Sequence, residues 1–175
     1  MAKPTYKNIA RQRLAMPAAR VLAALGVSPN TVTVIGFAVV LVAGYLTSEG
    51  MLLAGGLVLL FSGTFDAIDG TLARLTGKSS DGGAFLDSVT DRLSEAGFLG
   101  GLAWYYLSQQ PANLNGAMLA FGAFVASVMV SYTRARSEGL GINCTVGFVA
   151  RTERVLILGI GVAIGWPTPT LAIVL

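Results

Sequence analysis

Four aspartates, Asp66, Asp69, Asp87 and Asp91, stand in two pairs, three residues apart in the first and four in the second. Nine acidic residues occur in the 175-residue chain and five of them lie between Asp66 and Asp91, so the negative charge is concentrated in one stretch. On a helix, neighbours three and four residues apart project from one face, and two helices could present four carboxylates to each other. Four anions cannot share a poorly hydrated site unless protons or cations neutralise them. A hard divalent metal is the natural match for an all-oxygen donor set. Two such ions held by shared carboxylates would polarise a pyrophosphate and stabilise the charge of a phosphoryl transfer. The chain has no histidine, so its chemistry must run on carboxylates, Arg, Lys or hydroxyls. Its one cysteine, Cys144, permits neither an internal disulfide nor a thiolate metal cluster.

The surrounding residues suit that use. Gly70 and Gly83 remove side chains where a nucleotide must come close to backbone. Arg74 stands beside the acids and could clamp a phosphate or balance their charge. The connection 75–82 is short and polar and can close over a ligand. One of the four carboxylates could act as general base if it faces the acceptor. The competing reading pairs these acids with Arg74, Lys78 and Arg92 as a charged helix seam. Ionisable groups inside membrane sequence point to function by default, and four at this spacing favour a site.

The elements that must position these residues are membrane helices. The sequence is 54% hydrophobic and 12% charged, against about 25% charged in a soluble domain. It predicts an all-α integral membrane protein, a single domain over 1–175. Residues 5–26 mix Ile9, Leu14, Met16, Val21, Leu22 and Leu25 with Lys7, Arg11, Arg13 and Arg20. That pattern predicts an amphipathic helix lying on an anionic membrane face, not a signal peptide. A transmembrane bundle over 31–175 follows, with spans at 31–47, 51–73, 83–107, 114–133 and 151–165. A sixth span begins at Thr170 and is cut short at Leu175. Polar or proline-rich turns are expected at 108–113 and 166–170, and a polar loop at 137–149. With the N-terminus in the cytoplasm, all twelve cations fall on or near that side, and the outer turns 48–51 and 108–113 carry none. The acid cluster is then expected in the cytoplasmic leaflet, facing inward from lipid.

The full spacing Asp66-x2-Asp69-Gly70-x2-Ala73-Arg74-x8-Gly83-x3-Asp87-x3-Asp91 matches every fixed position of the CDP-alcohol phosphotransferase signature. The chain is identified as resembling that family over essentially its whole length. The resemblance implies transfer of a substituted phosphate from a CDP-linked lipid to an alcohol, with release of CMP. It implies that Asp66, Asp69 and Asp87 ligate two Mg²⁺ or Mn²⁺ ions. Asp91 would complete the metal site and deprotonate the acceptor. Gly70, Ala73, Arg74 and Gly83 would contact the CDP head, with Asn30 and Thr31 at the entry of the first span assigned to the same CDP-lipid site. It also implies a homodimer in contact with membrane lipids and no nucleic-acid partner.

A second cluster, Arg134, Arg136, Arg151 and Arg154, ends the fourth span and opens the fifth. Arg is suited to bidentate phosphate recognition, although arginines at cytoplasmic helix ends are also what topology alone supplies. Four together favour a phosphorylated acceptor over a neutral one. Residues Ser131 to Glu138 and Gly147 to Arg154 are similar to the branch that makes phosphatidylinositol phosphate or archaetidylinositol phosphate. That similarity implies that Arg134, Arg151 and Arg154 hold the phosphate of inositol phosphate. Arg134 replaces a common Lys, and Ala150 and Thr152 replace residues often Glu and Pro, which leaves glycerol phosphate as the runner-up acceptor. A divalent-cation transporter is the distant alternative. It would need polar residues across the membrane, and stretches such as Val39 to Val42 and Leu99 to Leu102 offer none.

Overall fold

The computed structural model describes the backbone of residues 6–142 and 151–174 and the side chains from Leu14 onward. Every regular element among them is an α-helix. In order these are α1 (Tyr6–Ala24), α2 (Pro29–Ser48), α3 (Leu52–Thr76), α4 (Asp81–Leu107), α5 (Leu114–Gly139), α6 (Arg151–Ala163) and α7 (Pro167–Val174). Three of them, α2, α3 and α5, are long and apolar enough to cross a membrane. The predicted third span is present as the 27-residue α4, with Asp81, Asp87, Asp91, Arg92 and Glu95 between its start and its middle turn. The last two spans correspond to shorter helices of 13 and 8 residues.

Three boundaries differ from the sequence reading. Helix α5 runs six residues beyond the expected end at 133, because Arg, Ala and Glu are good helix formers. Arg134 and Arg136 are therefore helical. The helix stops where Gly141 takes φ +74 and Ile142 N–H donates back to Ser137 O. The expected polar loop is thus partly helix, and residues 143–150 lie outside the described residues, as do Gly147 to Ala150 of the inositol-like segment. The proline-rich turn at 166–170 is the first turn of α7, with Pro167 at its first position, where the missing N–H costs nothing. Helix α3 continues to Thr76, so the connection to α4 is only residues 77–80.

The chain forms two compact units, and α2, α3 and α4 contribute to both. Unit 1 comprises residues 1–39 and 61–93. Its centre is Ala19, Val32 and Leu72, packed round by Leu22, Ala23, Val27, Phe65 and Ile68. Ala15 and Ala19 are the buried face of α1, while Leu14, Val21 and Leu25 form an exposed apolar stripe. Helix α2 begins with Ser28 as its cap, the Oγ accepting from Thr31 N–H at 3.1 Å. Ser80 caps α4 in the same way, accepting from Gly83 N–H at 3.1 Å.

Unit 2 comprises residues 40–60 and 94–175. Its core contains Ala43, Phe98, Leu99, Leu102, Tyr106, Ala120, Leu158 and Val162. Leu57, Phe121, Val125 and Met129 point outward, as side chains that meet lipid should. Small residues bring the helices together. A Cβ on Gly101 would collide with the Gly44 backbone, and one on Gly56 would lie 2.5 Å from the Gly159 carbonyl. Such contacts replace the hydrophobic drive that lipid removes. Thr47 satisfies its hydroxyl locally, on Ala43 O at 2.8 Å.

Gly101→Ala is expected to lower stability by about 1–3 kcal/mol, the usual cost of overpacking. Gly100→Ala, whose Cβ would meet open space, should be neutral or slightly stabilising. Thermal unfolding of the two variants in detergent separates them.

Candidate active site

Unit 1 holds a cavity built by the start of α2, the end of α3, the 77–80 turn and the start of α4. Asp69 and Asp87 line it, together with Asn30, Thr33, Gly70, Ala73, Arg74, Lys78 and Gly83. The geometry follows from local sequence. Gly77, at φ +65, reverses the chain, with Lys78 N–H donating to Ala73 O at 3.0 Å. That reversal sets Ser80 to cap α4 and returns the chain so that Asp87 faces the same cavity as Asp69.

Asp69 is the most enclosed acid of the motif, 7% exposed. One of its oxygens accepts from Gly70 N–H. The other accepts from Thr33 Oγ1 at 2.7 Å, a bond that reaches from α3 to α2 within unit 1. The charges of Asp87 and Asp66 act on it by like-charge repulsion. Asp66 and Asp87 are half-buried. Asp91 is also half-buried and lies 3.7 Å from the Arg92 guanidinium. Among the described residues no three acids gather into a ready-made metal site. The donor set nevertheless suits a hard cation. An enclosed carboxylate repelled by two others calls for positive charge, and each oxygen of Asp69 has lone-pair capacity beyond its one hydrogen bond.

The expected contacts for a CDP head divide. Asn30, Gly70, Ala73, Arg74 and Gly83 all line the cavity. A Cβ on Gly83 would lie 3.3 Å from Asn30 Oδ1, so glycine leaves that amide room. Arg74 lies over Gly70, whose absent side chain would sit 3.6 Å from Nη1, and its Nη2 donates to Thr71 Oγ1 at 3.4 Å. Thr31 does not line the cavity. Its hydroxyl bonds Ser28 Oγ at 2.8 Å in the helix cap. Asp66 and Asp91, one helical turn outside Asp69 and Asp87, do not line it either.

Thr33 lines the cavity and was not expected from the sequence, whereas Lys78, Ser79 and Ser80, which also line it, belong to the 75–82 connection expected to close over a ligand. Thr33 carried one usable signal, a hydroxyl in the first turn of an apolar span. Its partner 36 residues away gave no local clue.

In unit 2 the arginines are unlike one another. Arg134 and Arg136 are exposed in the last turns of α5, and Arg151 is half-buried at the start of α6. Arg154 is 7% exposed. Its Nη2 lies 3.2 Å from Glu95 Oε1 and donates to Ser127 Oγ at 2.9 Å. Ser127 in turn donates to Glu95 Oε2. Sequence reasoning missed both partners, although an acid followed by the apolar run to Leu107 was a signal for Glu95.

Known proteins resemble this chain along its length. The family description CDP-alcohol phosphatidyltransferase fits residues 26–174. An archaetidylinositol phosphate synthase of Pyrococcus horikoshii is 38% identical over 155 residues, 85% of this chain and 77% of the relative. A phosphatidylinositol phosphate synthase of Mycobacterium tuberculosis is 34% identical over 181 residues, 97% of this chain and 81% of the relative. The crystal structure of a Mycobacterium tuberculosis phosphatidylinositol phosphate synthase with CDP-DAG bound matches with a TM-score of 0.82 at 31% identity, covering 93% of this chain and 84% of that one. The same enzyme in complex with manganese and citrate matches with a TM-score of 0.82 at 28% identity, covering 91% and 81%.

Removing the Thr33 hydroxyl in Thr33→Val should weaken manganese binding about 10- to 100-fold, the range for hydrogen bonds behind a metal ligand. Thr33→Ser should keep it. Manganese titration followed by electron paramagnetic resonance reads the difference.

Proposed function

Because the chain belongs to the CDP-alcohol phosphatidyltransferase family, multi-pass membrane enzymes that form CMP, we propose that it transfers a phosphatidyl-type group from a CDP-lipid to a hydroxyl of inositol phosphate. The observation that carries this reading is the unit 1 cavity. Asp69 and Asp87 stand in it with Asn30, Arg74, Lys78 and the bare backbone of Gly70 and Gly83, an arrangement fit for a metal-bound pyrophosphate and its nucleoside.

Asp66, Asp69, Asp87 and Asp91 would hold two divalent cations, magnesium or manganese, which when bound supply positive charge against the pyrophosphate oxygens. Arg74 clamps the phosphate as a fork of donors. Asn30, Gly70, Ala73 and Gly83 shape the space for the cytidine. Thr31 contributes through the Ser28 cap, which holds Asn30 at the cavity edge. Asp91 takes the proton from the acceptor hydroxyl. That oxygen forms a bond to the phosphorus attached to the lipid, the pyrophosphate link breaks, and CMP leaves. The arginines of unit 2 recognise the acceptor's own phosphate, which supports a phosphorylated polyol over a free alcohol. Support for inositol comes from the relatives, an archaetidylinositol phosphate synthase and a phosphatidylinositol phosphate synthase, matched over 77% and 81% of their lengths.

The membrane arrangement completes the proposal. Six spans follow a surface helix whose stripe Leu14, Val21 and Leu25 dips into the lipid boundary beside Arg20. The distribution of cations supports an N-terminus and active site on the cytoplasmic side of the cell membrane. The enzyme works as a homodimer, with the lipid tails of its CDP-linked donor left in the bilayer.

The acceptor is tested directly. Purified protein, CDP-diacylglycerol and magnesium should release CMP fastest with inositol phosphate, more slowly with glycerol phosphate, and little with free inositol or serine. A preference for a free alcohol would overturn the role given to the arginines. Asp91→Asn should lower turnover by about 10²–10⁴-fold, the range for a lost general base, with CDP-lipid binding little changed. Parental CMP release in that variant removes Asp91 from its role.

A further inference from the structure

The α3–α4 connection carries a charge that the proposed reaction has not used. Between Arg74 and Gly83 only Lys78 and Asp81 are charged. Both are exposed. Lys78 lines the cavity of unit 1 and Asp81 does not. The cation of the connection therefore borders the space that would receive an anion, and the acid stays outside it.

The backbone fixes this placement. Gly77, at φ +65, ends α3, and its N–H donates to Arg74 O at 3.4 Å while Lys78 N–H donates to Ala73 O at 3.0 Å. This glycine closure roots Lys78 on the last turn of α3, four residues after Arg74. Two residues further on, Ser80 is held by its bond from Gly83 N–H at 3.1 Å. The main chain is thus anchored on both sides of Lys78, and its flexible stem can carry the ammonium into the cavity.

Two roles compete for an ammonium there. It could neutralise Asp69 and Asp87, yet among the described residues it makes no ion pair with either. A compact point charge on a long stem also suits a phosphate that arrives from outside. The charge balance favours the second role. Two divalent ions would cancel Asp66, Asp69, Asp87 and Asp91. A pyrophosphate diester would then bring two negative charges into a space where Arg74 supplies one positive charge, and Lys78 supplies the other.

We infer that Lys78 is a donor-binding residue. Together with Arg74 it holds the pyrophosphate of the CDP-linked lipid, and it takes no part in holding the metal ions. The inference rests on the reading of this cavity as the CDP site. It adds to that site a residue from inside the connection, where the signature fixes the length and leaves the side chains open.

CDP is titrated calorimetrically into the full chain in detergent micelles with manganese present. Lys78→Gln should weaken CDP binding about tenfold, the lower end of what a charged hydrogen bond contributes, because the lysine is exposed. Lys78→Arg keeps the charge and should stay within about threefold of the parent. Manganese affinity without nucleotide, followed by electron paramagnetic resonance, should fall in neither variant, since a cation beside carboxylates competes with a metal ion.

If Lys78→Gln binds CDP like a parent that does bind it, Lys78 is only a surface cation of the turn, and this inference fails alone. If Lys78→Arg is as weak as Lys78→Gln, the charge is not what holds the nucleotide and the inference is wrong. If manganese binding weakens along with CDP binding, Lys78 acts on the metal site and the inference is also wrong. A parent protein that binds no CDP sinks the reading of the cavity itself.

Discussion

A carboxylate taken out of water must find a donor, a cation or a proton, and among apolar helices none of these is supplied by solvent. Much of the structure answers that demand twice. In unit 1, Asp69 receives a hydroxyl from Thr33 and the backbone N–H of Gly70, and is left facing the like charges of Asp66 and Asp87. In unit 2, Glu95 receives a guanidinium and a hydroxyl. The first arrangement gathers like charges, which a cation would relieve, whereas the second joins its carboxylate to a guanidinium and a hydroxyl of the protein itself.

This distinction marks the limit of what the sequence reveals. The acid pairs were legible because their partners are three and four residues away on one helix, a spacing that reads directly as a shared face. The positions of α2 to α5 were legible from apolar length, and the CDP-alcohol signature from fixed gaps. Arg154 looked like its three neighbours because burial is not written in a local pattern. Its partners Ser127 and Glu95 stand 27 and 59 residues earlier in the chain. Thr33 was missed for the same reason. The extension of α5 to Gly139 was misjudged because charged residues were taken to mark the water boundary, whereas Arg, Ala and Glu carry a helix past that boundary without difficulty.

Small residues serve opposite ends in the two units. In unit 2, Gly44, Gly56, Gly101 and Gly159 let helix backbones touch, and the space they leave is filled by protein. In unit 1, Gly70 and Gly83 leave space that polar groups border, Arg74 at one and Asn30 at the other. A glycine in a membrane helix is therefore ambiguous until its neighbour is known. What lies across from it, carbonyl or guanidinium, tells packing from binding.

The eight-residue gap between Arg74 and Gly83 acquires a physical meaning from the α3–α4 connection. Two residues, Leu75 and Thr76, finish one helix. Four, Gly77 to Ser80, make the reversal, and two, Asp81 and Gly82, open the next. Because each helical residue turns the face by about 100°, that count acts as an angular gauge. One residue more or fewer would rotate Asp87 and Asp91 away from Asp66 and Asp69 while leaving every aspartate in the chain. What the fixed gap preserves is the phase between two helices, and the chemistry depends on that phase as much as on the acids it aligns.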